Sequence, residues 1–196
     1  MKTRMNNLVQ WIQVSKIRTK TIAVITAVAA AVVLPQLAHT AGAALGAGSS
    51  VGEMFLPMQF PVLFIGALMG PAAGLVTGIL SPVVSHALTG MPVSAMLPFL
   101  MIELGVYGLT AGWMKNKLCK PILRVLTAQI AGRVARSLAM VGAFYLLENS
   151  LPLHASWSYI TAGVWGIAIQ LLVLPVLLTL VECSCTVRKQ ATENKR

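Results

Sequence analysis

Three charged residues, Glu103, Arg133 and Arg136, interrupt long apolar runs of this 196-residue chain. A charge inside a membrane is expensive, so such residues face a bundle interior and pair with one another or with a ligand. At about 1.5 Å of rise per residue from the non-basic ends of their runs, Glu103 lies about 12 Å deep, Arg136 about 16 Å and Arg133 about 21 Å. Glu103 and Arg136 are therefore close enough in depth to meet. Two readings follow: a permanent ion pair locking two helices together, or a binding site in which one arginine stays available. Arg133 and Arg136 share a helical face at i and i+3, and Arg136 is nearer the entrance by about 4.5 Å. Arg136 is thus the expected contact for an anionic ligand, with Glu103 its neighbour and Arg133 structural. Tyr107, Tyr145, Asn149, Trp157, Tyr159 and Trp165 complete the constellation. Trp157 and Tyr159 read as interface anchors, whereas Trp165, about 12 Å deep, suits either core packing or stacking on a planar ligand. The candidate ligand-binding residues are Glu103, Tyr107, Arg136, Asn149 and Trp165.

Other chemistries lack their residues. The five acids are Glu53, Glu103, Glu148, Glu182 and Glu193, with no Asp, so no carboxylate cluster for magnesium is expected. A G-x-x-x-x-G-K-[ST] phosphate loop is absent from the sequence, so ATP-driven work belongs to another chain. His39, His86 and His154 are scattered, and Cys183-x-Cys185 has neither zinc-ribbon spacing nor a nearby His. No metal, cofactor or disulfide is expected. No adjacent Ser/His/Asp or Cys/His set is seen either, which argues against an enzyme. A small six-helix membrane enzyme or a regulatory membrane partner remains the alternative class, separable by turnover of the isolated chain. A self-contained carrier is disfavoured because no inverted repeat is evident.

The elements that must position these residues follow from composition. With 57% hydrophobic and 10% charged residues, the chain is expected to be an all-α integral membrane protein. Six apolar runs are predicted as transmembrane helices, at about 21–38, 56–70, 71–88, 94–114, 121–147 and 157–182. The stretch 40–52 reads as a Gly/Ala-rich loop. Of fifteen cations, Lys2, Arg4, Lys16, Arg18 and Lys20 precede the first run, and Lys115, Lys117, Lys120 and Arg124 flank the fourth-to-fifth junction. Arg188, Lys189, Lys195 and Arg196 follow the sixth, so thirteen of fifteen fall on one side. By the positive-inside rule both termini are cytosolic. The chain thus divides into a basic segment at 1–20, a membrane domain at 21–182 and a basic tail at 183–196. The same confinement of cations to short segments argues for membrane topology and against nucleic acid. A cleaved signal peptide is the competing reading of the amino end, given the basic region, the apolar stretch 22–34 and Ala41-Gly42-Ala43. Ala23, Ala27 and Ala31 form a small-residue ladder with a four-residue repeat, on which another helix can approach closely, either within the subunit or from a partner.

The run Leu56-Pro57-Met58-Gln59-Phe60-Pro61-Val62-Leu63, then Gly66-Ala67-Leu68-Met69-Gly70-Pro71, Gly74-Leu75 and Ser81-Pro82, is followed by Leu88-Thr89-Gly90-Met91-Pro92. Glu103-Leu104-x-x-Tyr107-Gly108-Leu109-x-x-Gly112 and Ile130-Ala131-Gly132-Arg133 complete an ordered series. This series resembles the substrate-binding S components of energy-coupling factor (ECF) vitamin transporters, over about residues 20–182. Gln59 departs from the resemblance, standing where an apolar or small residue is expected. The resemblance implies six helices in a bacterial plasma membrane and high-affinity vitamin capture at the outer face. Delivery would follow through a transmembrane coupling protein and two ATPases of a shared module, with Ala23, Ala27 and Ala31 docking on the coupling protein. It also implies a pocket under the loop 42–53 and the loop 89–92, at the outer halves of the last three helices. The surplus intramembrane arginine leans toward an anionic vitamin such as pantothenate, with uncharged pyrimidines, queuosine precursors and cobalamin as alternatives.

Overall fold

The computed structural model describes residues 2–44, 57–115, 117–118, 120–146 and 164–193, with side chains over 17–44, 57–115, 117–118, 120–145 and 166–181. These residues form six helices: α1 (Lys2–Ala44), α2 (Gln59–Met69), α3 (Pro71–Thr89), α4 (Leu97–Met114), α5 (Pro121–Leu146) and α6 (Val164–Glu193). No strand occurs among the described residues. Ile17–Ala44 of α1, together with α3 and α4, is long and apolar enough to cross a membrane. α5 is longer than α3 and α4, but carries Arg124, Arg133 and Arg136.

Two expectations about length are corrected. α1 is continuous through the basic segment and past residue 38, and α6 continues past residue 182. Residues 40–44, expected in a loop, are its last turn. α2 has only 11 residues, about 16 Å of helix, half the roughly 30 Å hydrocarbon thickness. Its shortness matches its place. α2 packs against all five other helices and buries Gln59, Pro61, Val62, Leu63, Ile65, Gly66 and Ala67. A helix apolar on every side belongs inside a bundle.

Junctions are made by residues that tolerate them. Gly70, at φ 100°, separates α2 from α3, and Pro71 occupies the first turn of α3, where its missing N–H costs nothing. Gly90, at φ 71°, ends α3 in the left-handed region and donates its N–H to the His86 carbonyl at 2.9 Å. His86 then holds the turn that follows: its Nδ1–H donates to the Pro92 carbonyl at 2.7 Å. At the opposite end Lys115 donates to the Leu68 carbonyl at 2.6 Å, placing a cation on the C-terminal end of α2.

Glycine governs the central crossing. α3 and α4 pack closely because small residues meet in register: Gly78 against the Leu104 carbonyl, Gly74 against Gly108, and Pro71 against Gly112. Gly66 of α2 meets the same Gly108 carbonyl, so three backbones converge there. Close approach through small residues replaces the hydrophobic drive that lipid removes. One core then joins Val62, Leu63 and Ala67 of α2, Leu104, Tyr107 and Ala111 of α4, Val125 and Ala128 of α5, and Leu174 and Leu178 of α6.

The alanine ladder of α1 is largely used within the subunit. Ala27 is 5% and Ala31 0% exposed, on the face of α1 that packs against α2 and α3. The face left outside carries Ile22, Ile25, Val33 and Leu37. Ala27 and Ala31 therefore take part in packing within the subunit, one of the two uses the ladder allowed; Ala23 is half-buried. Ala31→Leu is expected to destabilise the solitary subunit by about 1–3 kcal/mol, the usual cost of overpacking. Melting of the purified variant in detergent checks this. An unchanged melting temperature combined with lost partner assembly would restore the docking assignment.

Candidate functional site

The site is built on α4 and α5, whose approach is set by Gly132. A Cβ there would collide with the Tyr107 ring and come within 2.9 Å of the Glu103 carbonyl. With no side chain at 132, α5 comes close enough for Arg136 Nη1–H to donate to Glu103 Oε2 at 2.7 Å. Tyr107, one turn further along α4, donates its hydroxyl to the other carboxylate oxygen, Oε1, at 2.8 Å. Both oxygens of Glu103 are thus engaged. Glu103 and Tyr107 are buried, and the Arg136 side chain is 14% exposed.

The sequence expectation that Glu103 and Arg136 meet is observed. Arg136 is occupied by Glu103, whereas Arg133 Nε is buried with no hydrogen-bond partner among the described residues. Among the described residues, α4 and α5 bring two guanidiniums, Arg133 and Arg136, to one buried carboxylate, Glu103. Arginine does not shed its proton to escape burial. An arrangement of this kind can bind an anionic group through Arg133 while the Glu103–Arg136–Tyr107 set holds the helices in place.

Tyr145 does not join the cluster; it is 74% exposed and meets Phe144 edge-on at 5.4 Å between ring centroids. Trp165 lies in α6, but its side chain, like Asn149, Trp157 and Tyr159, is outside the described residues. The loop at 42–53 falls partly outside them too, beyond Ala44. Sequence reasoning missed a polar contact between α5 and α6, where Gln129 donates through Nε2 to Gln170 Oε1 at 2.8 Å, both residues buried. A signal for it existed. Gln129, Arg133 and Arg136 stand at i, i+4 and i+7, so one face of α5 carries all three polar groups.

A family model described as "ECF transporter, substrate-specific component" matches residues 20–178. Searches of curated proteins and of solved structures find no significant match.

Proposed function

Since the chain belongs to the family of ECF transporter substrate-specific components, we propose that it is the high-affinity vitamin-binding subunit of an ECF-type importer, capturing a small anionic vitamin at the outer face. Release inside would require a transmembrane coupling protein and two ATPases, since the sequence contains no phosphate-binding loop of its own. Both termini are assigned to the cytosol of a bacterial cell, on the strength of thirteen cations gathered at one end of the helices. The basic flanks 1–20 and 183–196 then bracket the membrane domain 21–182. Of the ladder residues, Ala23 keeps surface for a partner.

The observation that carries the ligand reading is the Nε of Arg133, buried with no hydrogen-bond partner among the described residues, one turn from the Arg136 that pairs with Glu103. Arg133 therefore replaces Arg136 as the favoured contact for a carboxylate or phosphate, with pantothenate as the leading candidate. A ligand at 100 times its Kd should stabilise the protein by about 2.7 kcal/mol, read as a raised melting temperature. Arg133→Gln should weaken that binding about 10- to 100-fold, the worth of a charged hydrogen bond, while the ligand-free protein melts almost normally. Unchanged affinity in Arg133→Gln would remove Arg133 from the site. Co-purification with a coupling protein and two ATPases tests the importer reading separately.

A further inference from the structure

Gln59 opens α2, the helix that touches every other, and is only 3% exposed. Its Oε1 is buried and has no hydrogen-bond partner among the described residues. Gln129 Oε1 shares that condition, yet the Gln129 amide is already tied to Gln170 through Nε2. A buried carbonyl oxygen without a donor is costly, and native proteins rarely keep one without use. Nothing in helix formation asks for Gln here, because the rest of α2 is Phe60 through Met69 with no other polar side chain.

Register places Gln59 near the depth of the charged cluster. Val62 and Leu63, three and four residues along α2, lie in one core with Leu104 and Tyr107 of α4. Gly66 of α2 meets Gly108 of α4, and Gln59 lies about two turns before the first as Glu103 lies about one and a half turns before the second, a difference of about 3 Å. Both helices run the same way from the end opposite the basic segments, so the two residues enter the bundle at similar depth. Each oxygen of Glu103 already accepts a hydrogen bond, from Arg136 and from Tyr107, whereas Gln59 Oε1 accepts none among the described residues. An acceptor offered to a ligand at this level therefore falls to Gln59. Being neutral, it adds no negative charge to offset the surplus guanidinium.

We propose that Gln59 is a specificity-determining, ligand-contacting residue: its Oε1 accepts a hydrogen bond from a neutral N–H or O–H donor on a ligand whose anionic group lies on Arg133. The substrate class is narrowed accordingly to small carboxylates or phosphates that also carry a hydroxyl, amide or ureide donor. This inference rests on the vitamin-binding reading above and adds a second contact, on α2.

The experiment measures binding to the purified wild type and to Gln59→Met, which keeps length and volume but removes the acceptor. Pantothenate, biotin and pyridoxal 5′-phosphate serve as anions with a donor; nicotinate and lipoate serve as anions without one. At least one of the first three is expected to bind the wild type, and the last two to bind far more weakly. Gln59→Met should weaken the productive ligand about 10- to 100-fold, because a ligand donor is left buried and unpaired. Its ligand-free melting temperature should stay level or rise, since an unsatisfied polar atom has gone. A structural glutamine would behave oppositely, losing melting temperature and keeping affinity, and that result overturns the proposal. Equal binding of nicotinate or lipoate overturns the donor requirement. Should Gln59→Met misassemble, Gln59→Leu repeats the comparison. If Arg133→Gln loses binding and the Gln59 variants do not, Gln59 alone is wrong. If no anion in the panel binds the wild type, the anionic ligand class falls and this inference with it.

Discussion

Gly108→Ala should yield little or no folded protein, the largest effect expected of any single methyl group in this chain. A Cβ at 108 would run into the Gly74 backbone, and Gly66 and Gly74 both already press on the Gly108 carbonyl. Backbone cannot rotate aside as a side chain does, so α3 and α4 would have to separate along their whole crossing. Contacts at Gly78 with Leu104 and at Gly112 with Pro71 would be lost with them. The cost should exceed the roughly 1–3 kcal/mol of ordinary overpacking. Gly142→Ala provides the control, since a Cβ there meets nothing within 4 Å. Size-exclusion profiles and melting of the two variants in the same detergent check the contrast. If Gly108→Ala stayed monodisperse with a near-normal melt, the glycine crossing would not be the fold's closest contact.

Glu103→Gln is the second change expected to have a large effect. It takes the Glu103 carboxylate charge away from Arg136 beside a buried tyrosine. Breaking a buried pair from one side typically costs about 3–5 kcal/mol, because the remaining charge is stranded. Arg136→Gln strands the carboxylate instead, although its Tyr107 hydrogen bond remains. The double variant Glu103→Gln/Arg136→Gln should be more stable than Glu103→Gln alone, since two amides are less costly to bury than one unpaired charge. Melting of all four proteins closes the cycle. Additive losses in the double variant would show that the 2.7 Å contact carries no coupling.

Much of this architecture could be read from residue type and order. Composition and apolar runs pointed to a helical membrane protein because only helices and closed barrels satisfy backbone polar groups in lipid. Gly70-Pro71 marked the break between α2 and α3, since a positive φ and a missing N–H are local properties of those two residues. The meeting of Glu103 with Arg136 followed from depth alone, because a rise per residue is common to all helices. The burial of Arg133 Nε did not follow. Arg133 and Arg136 share a face of α5, and only the docking of α5 on α4 through Gly132 left Arg133 Nε buried with no hydrogen-bond partner among the described residues. The alanine ladder was equally ambiguous. A smooth strip fits any helix that comes near, and only the packing of α1 on α2 and α3 turned Ala27 and Ala31 inward. Gln59 stood out in the sequence merely as a polar residue in an apolar run. Its burial, and the unmet oxygen that results, depend on five helices closing around α2, which no local pattern encodes.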